Sequence, residues 1–247
     1  MESLYTPHLT EHASILALEG DTLKHAQVLR LREGEKVLLS NGTGLCARAE
    51  VREVRKYEIL CAVQEFLPQH GELMWNGKPI RFSLALGILD NRERFEFAIE
   101  KAVEMGVTDI FLLATDHSER YAANRIKSER LTAKAVAAMA QSHRSVLTSI
   151  HAPSTVEELQ TTLPADTIII IADTDGTAPT PLQDKHSGQM SVCVCVGAEG
   201  GFSERELLLL RTDTRAVAWN LAPRRLRAET AAVMCLSAAA LMFPRSE

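Results

Sequence analysis

The spacing of apolar positions changes character once along the chain. Over residues 1–70 they alternate in short runs broken by turn signals, the period-2 pattern of half-buried strands. Val37-Leu38-Leu39 runs into Ser40-Asn41-Gly42-Thr43-Gly44, which contains the Asn-Gly step favoured in tight hairpins. Alternation resumes from Leu45 to Val54, and residues 57–63 give a further strand. One short helix is expected over residues 21–31, capped by Asp21, with Leu23, Ala26, Gln27 and Arg30 at helical spacing. Together these predict a small β-barrel. A polar connector over residues 71–79, opened by Leu67-Pro68-Gln69-His70-Gly71, marks the expected domain boundary.

From Ile80 onward strands alternate with helices. Apolar runs fall at residues 82–88, 109–113, 167–172, 191–196 and 216–221. Between the first of them lie helical patterns. Residues 92–105 place Phe95, Ala98, Ile99, Ala102 and Val103 on one face, with Asp90 as cap and a stop at Gly106, and residues 127–141 repeat the pattern. Alternation at this spacing predicts a largely parallel sheet covered on both faces, filling residues 80–247 as an α/β domain.

Composition adds limits. Hydrophobic residues are 46% and charged residues 24% of the 247, an ordinary balance for a folded soluble chain. The net charge of −5 lacks the basic excess of a typical nucleic-acid binder, so RNA binding would need local basic faces. Such concentrations occur at Arg30/Arg32, over residues 48–56, and at Arg224/Arg225/Arg227; any of them can also be a plain solvated surface. Five scattered cysteines without a C-x-x-C pair read as reduced core thiols of a cytoplasmic protein, and the dispersed histidines give no metal-ligand pattern. The first residues lack the features of a signal peptide, and no stretch reads as a membrane span.

Two stretches carry the chemistry. Val196-Gly197-Ala198-Glu199-Gly200-Gly201-Phe202-Ser203 runs from a buried strand through three glycines into a helix opened by a Ser203-x-x-Glu206 capping box. Such a loop lets backbone approach a ligand at the sheet's carboxyl edge, or is simply a tight turn. It is neither G-x-G-x-x-G nor a P-loop, and Glu199 would repel a phosphate but suit a cation such as a sulfonium. The second stretch, Asn220-Leu221-Ala222-Pro223-Arg224-Arg225-Leu226-Arg227-Ala228-Glu229-Thr230-Ala231, joins a strand to an Ala-rich helix. Its arginines suit phosphate and base edges, or it is a surface loop whose Glu229 favours the helix N-terminus.

In combination the two stretches resemble the signature of the SPOUT superfamily, and closely that of its RsmE family of small-subunit ribosomal RNA uridine-N3 methyltransferases. The family pattern is approximately G-P-E-G-G-[FL]-[ST]-x-x-E followed by L-G-x-R-I-L-R-T-E-T-A. Agreement extends to His25-Ala-Gln-Val-Leu-Arg-Leu-Arg32, Ser40-Asn-Gly-Thr-Gly44, the run from Arg94 to Val107, and Ser118-Glu-Arg120, so it covers nearly the whole chain in order. Departures are Ala198 for the usual Pro, Ala222 for Gly, Ala228 for Thr, and Ala140 for the Glu of an A-x-E-Q-[SC]-x-R segment ending here at Arg144.

The resemblance implies a PUA-like RNA-binding barrel followed by a parallel-sheet methyltransferase domain whose C-terminal part forms a trefoil knot. It implies a homodimer that binds S-adenosylmethionine (SAM) as methyl donor and modifies 16S rRNA of the small ribosomal subunit. Ile171, Ala172, Gly197, Gly200, Gly201, Leu221, Leu226 and Ala228 would surround SAM. Glu199 or Glu229 would accept the N3 proton and Arg227 would stabilise the anion, with Arg30, Arg32, Arg120, Arg144 and Arg225 contacting RNA. The alternatives are a SPOUT enzyme acting on another RNA, or a non-catalytic SAM-binding ribosome-assembly protein; a nucleotide-dependent Rossmann enzyme lacks its phosphate motifs.

Overall fold

The computed structural model describes residues 1–118, 126–181 and 190–243. The chain divides into two compact units: residues 1–72 with 136–147, and residues 73–135 with 148–247. In the first, β1 (Glu2–Tyr5), β2 (Ile15–Leu18), β3 (Lys36–Ser40), β4 (Leu45–Val54) and β5 (Ile59–Pro68) form one sheet in the order β1-β3-β4-β5-β2. Only the β1–β3 pair is parallel. Helix α1 (Gly20–Val28) packs against both edge strands, β1 and β2, and Thr22 ties it down through a hydroxyl bond to the Tyr5 carbonyl oxygen at 2.9 Å. The expected hairpin joins β3 to β4 through Asn41-Gly42-Thr43-Gly44. The expected cap is corrected: α1 begins at Gly20, and Glu19, not Asp21, holds the N-cap position without a side-chain bond.

The first unit is not the contiguous stretch that a boundary at residue 70 implies. The carboxylate of Glu72 accepts main-chain N–H bonds from Ser145 and Val146, each at 2.9 Å, and an ion pair from Arg144 at 2.7 Å. Leu147 N–H donates to the Gly42 carbonyl oxygen at 2.9 Å, and Gly44 N–H to that of Ser145 at 3.0 Å. These bonds hold residues 136–147 to the first unit. They also correct the expectation for Arg144: its side chain is 1% exposed beside a Glu72 at 3%, so it serves the interior and cannot meet a phosphate at the surface.

The second unit opens with a short hairpin, β6 (Met74–Trp75) and β7 (Lys78–Pro79), inside the expected connector. Then follow β8 (Arg81–Gly87), α2 (Arg92–Glu104), β9 (Asp109–Leu113), α3 (Ser128–Gln141, which belongs to the first unit from Val136 onward), β10 (Ser149–Ser154), α4 (Val156–Thr162), β11 (Ile168–Thr177), β12 (Ser191–Val196), α5 (Glu204–Thr212), β13 (Ala216–Trp219) and α6 (Ala228–Ala240). Six of these strands form a wholly parallel sheet in the order β10-β9-β8-β12-β11-β13. Ser191-Val-Cys-Val-Cys-Val196 is buried at every position because β12 is central and covered on both faces, where alternation is not required. Asn91, rather than the expected Asp90, caps α2 by accepting the Arg94 N–H at 3.0 Å.

The chain builds β8, β9 and β10 outward in one direction, then returns to the other side of β8 for β11, β12 and β13. That reversal leaves a crevice beyond the carboxyl ends of the strands, the usual ligand position in an open parallel sheet.

Candidate active site

A cleft of about 440 Å³ lies at the carboxyl ends of β11, β12 and β13. Three segments line it, joined by Leu207 of α5: Ala172–Thr174 of β11, the glycine loop after β12, and the segment from the end of β13 into α6. Its size suits a small organic ligand.

The glycine loop is shaped by close backbone contacts. A Cβ on Gly197 would stand 2.5 Å from the Gly201 carbonyl carbon and 2.6 Å from the Phe202 nitrogen, so only glycine lets the loop fold back on itself there. Gly201 closes the turn at φ +76, a left-handed conformation that costs other residues energy, and its N–H donates to the Ala198 carbonyl oxygen at 2.9 Å. The loop ends in the capping box read from the sequence: Ser203 Oγ accepts the Glu206 N–H at 3.2 Å and Glu206 Oε2 accepts the Ser203 N–H at 2.8 Å. The other oxygen of the buried Glu206 accepts the Asp116 N–H at 2.9 Å.

A turn after β9 braces this loop from outside. His117 Nδ1 donates to the Gly200 carbonyl oxygen at 3.1 Å, and Ser203 Oγ donates to Asp116 Oδ2 at 2.6 Å. The Arg205 guanidinium beside Asp116, helped by that hydroxyl, holds the Asp116 carboxyl below the usual carboxylate range.

Several residues singled out from the sequence gather here. Ala172, Gly197, Gly200, Gly201, Leu221, Leu226 and Ala228 line the cleft together with Glu199 and Arg225; Ile171 is buried in β11 and does not. Glu199 accepts the Asp90 N–H through Oε1 at 3.1 Å, and its carbonyl oxygen accepts from Arg225 Nη2 at 2.9 Å. Glu229, on the first turn of α6, stands outside the cleft lining, 3.7 Å from Arg94 Nε. Arg227 holds the N-cap position of α6, exposed and without an ion-pair partner among the described residues. Arg120 lies outside the described residues.

Trp219 was not singled out from the sequence. It ends β13, is fully buried, lines the cleft, and its indole N–H has no hydrogen-bond partner among the described residues. A buried donor left unpaired is costly. Its only sequence signal is a polar-capable aromatic at the carboxyl end of a strand.

In the first unit Arg30 and Arg32 are exposed and carry no side-chain ion pair among the described residues. The arginines of residues 48–56 differ: Arg48 pairs with Glu65, Arg52 with Glu50, and Arg55 with Glu53 and Glu58. That stretch is a neutralised surface rather than a basic face.

Comparison with known proteins places this fold in a class. Residues 76–240 match the model of an RNA methyltransferase domain, and residues 18–64 that of an RNA methyltransferase PUA domain. The ribosomal RNA small subunit methyltransferase E of Mycobacterium bovis is 29% identical over 98% of this chain and 92% of its own length. The protein of the same name from Bacillus subtilis is 26% identical over 94% and 92%. A crystal structure of the Neisseria gonorrhoeae methyltransferase E, bound to S-adenosyl methionine, superposes with a TM-score of 0.83, 23% identity and 98% coverage of both chains. The chain belongs to the RNA methyltransferase family, with a parallel-sheet methyltransferase domain and a PUA-like N-terminal part. The relatives it matches along most of their length carry the name ribosomal RNA small subunit methyltransferase E.

Proposed function

We propose that the chain transfers a methyl group from SAM to N3 of a uridine in 16S rRNA of the small ribosomal subunit. The observation that carries this reading is the cleft: a cavity of about 440 Å³ at the carboxyl edge of a parallel sheet, walled by the glycine loop after β12 and the segment entering α6. The residues present fit SAM. Leu221, Leu226, Ala228 and Ala231 offer an apolar surface for a nucleoside, and Glu199 offers negative charge towards a sulfonium. When bound, SAM supplies an electrophilic methyl carbon.

Uridine N3 carries a proton at neutral pH and is a poor nucleophile until it is lost, so the site needs an acceptor and a cation nearby. The Asp90 N–H occupies one oxygen of the Glu199 carboxylate and leaves the other to accept that proton. Glu229 is the second candidate acceptor, held beside Arg94. Arg227 is free to stabilise charge spreading onto the uridine carbonyl oxygens. Arg225 is the residue whose reading changes: its guanidinium spans two cleft loops, and we assign it to holding the cleft rather than to RNA phosphate.

RNA contact falls to Arg30 and Arg32 in the first unit and to Arg224 in the second, whose charges are not consumed by acidic neighbours among the described residues. Residues 1–72 are assigned as the RNA-binding part. A homodimer is supported by α2 and α6, which pack together and leave Phe97 (45%), Met234 (41%) and Leu241 (74%) exposed. Five unpaired thiols support a reducing, cytoplasmic setting. Among the described residues no helix is long and apolar enough to cross a membrane.

Calorimetric titration with SAM, ATP and NAD tests the cofactor assignment. Saturable binding of SAM alone, with a change in Trp219 fluorescence, is expected. Binding of ATP or NAD in preference to SAM would overturn it.

A further inference from the structure

A second cavity, of about 570 Å³, opens in the second unit between the start of α2 and the start of α3. It shares no lining residue with the cofactor cleft. One hydrogen bond connects the two walls: Asp90 lines this cavity, and its N–H donates to the Glu199 carboxylate of the cleft at 3.1 Å.

The cavity has an apolar floor and a charged mouth. Leu89, Phe95 and Leu131 form the floor, each 4% exposed. Arg92, Lys127 and Arg130 stand exposed at the mouth. Arg130 is held in place by the buried Glu96, donating from Nε at 2.5 Å and from Nη2 at 2.9 Å, and Arg92 Nε lies 3.8 Å from the same carboxylate. Glu96 thus spends its charge on fixing two guanidinium groups beside the cavity.

The lining cations Arg92, Lys127 and Arg130 are matched by Asp90, Glu93 and Glu96. A balanced mouth has little net attraction for a free anion, whereas an apolar floor ringed by both donors and acceptors suits a neutral flat heterocycle with carbonyl and N–H groups on its edge. The methyl-transfer reading requires such a ligand. A paired base hides N3, so the target must leave the stack and be housed next to the cofactor.

We propose that this cavity is the subsite for the extruded uracil of the RNA substrate. The ring rests against Phe95 and Leu131, and Arg92 and Lys127 engage its carbonyl oxygens and the adjoining phosphate. This rests on the methyl-transfer reading, and its test separates the two.

The variants Arg92→Ala and Lys127→Ala change exposed groups at the mouth and leave the cofactor cleft intact. Two measurements are made on the full chain: SAM affinity by calorimetry, and methylation rate against concentration of undermodified small subunits. A 4-thiouridine-containing oligonucleotide is also crosslinked to the wild type and mapped by peptide mass spectrometry. The expected result is a SAM Kd within about twofold of wild type, at least a tenfold fall in kcat/KM for subunits, and crosslinks within residues 88–96 or 126–131. Wild-type kinetics in both variants, or crosslinks confined to other segments, would overturn the subsite alone. A wild-type chain that binds no SAM would overturn the methyl-transfer reading and the subsite with it.

Discussion

Arg225 Nη2 donates a hydrogen bond to the main-chain carbonyl oxygen of Glu199 at 2.9 Å, so a side chain from the segment entering α6 grips the glycine loop after β12. Both residues line the cofactor cleft. The bond fixes the distance between two of the three segments that form it, and it gives an arginine that reads as a phosphate contact a different task.

Removing the grip should loosen the cleft without unfolding the domain. For Arg225→Ala we expect a rise of about fivefold in the SAM Kd, the scale of one net hydrogen bond of ~1 kcal/mol. The salt dependence of RNA binding should stay at the wild-type slope, because no phosphate contact is lost. A reduced slope measured by titration at several salt concentrations would return Arg225 to the RNA interface.

Two glycines of the same loop should behave differently. Gly197→Ala places a Cβ 2.5 Å from backbone that cannot give way, so SAM binding should fall by more than tenfold. Gly201→Ala meets nothing within 4 Å and costs only the left-handed conformation, roughly 1–2 kcal/mol. Calorimetric affinities and denaturation midpoints of the pair would check the order; equal effects would mean that the loop is not held as described.

The buried pair of Arg144 and Glu72 should matter to stability and not to RNA. Glu72→Ala leaves a guanidinium buried without its carboxylate and removes the acceptor of two main-chain N–H groups. A loss of roughly 3–5 kcal/mol is expected in chemical denaturation of the first unit. A variant that unfolds like the wild type would show Arg144 to be solvated after all.

Asp213 supplies an acid-sensitive contribution. Its carboxylate pairs with Arg215 at 2.7 Å, chiefly by hydrogen bonding, and its pKa is held down to about 2 from an ordinary 3.8. A depressed carboxylate stabilises the fold above the unfolded value and loses that contribution as pH falls through the folded one. The difference in unfolding free energy between wild type and Asp213→Asn, measured with urea, should therefore be full at pH 5, on the order of 2 kcal/mol, and shrink between pH 4 and 2. A difference unchanged across that range would contradict the pairing.

How far the sequence reveals this molecule depends on where its signals are local. Asp109–Leu113 and Ser191–Val196 are apolar runs each opened by a polar residue, and they form strands with those bounds. The Ser203-x-x-Glu206 box is a four-residue pattern and forms as read. By contrast β10, Ser149-Ile-His-Ala-Pro-Ser, is an edge strand with scarcely an apolar residue, and α4 is too short for a periodic signal. The polar Asp173-Thr-Asp-Gly-Thr177 continues β11 only because Thr177 pairs with Trp219 after a register shift.

The site follows the same division. Glycines and a capping box announce the loop of residues 197–206, whereas Arg144 reads as surface because its partner Glu72 lies 72 residues away. Trp219 reads only as an aromatic at the end of a strand until the fold makes it part of the cleft lining. The resemblance to RsmE enzymes supplied the roles that periodicity could not.

The most direct measurement is transfer of labelled methyl from SAM into undermodified small ribosomal subunits, followed by nucleoside mass spectrometry of the 16S rRNA. The account predicts 3-methyluridine as the labelled nucleoside, absent when the protein is heat-killed. A different methylated nucleoside, or no transfer despite saturating SAM, would contradict it.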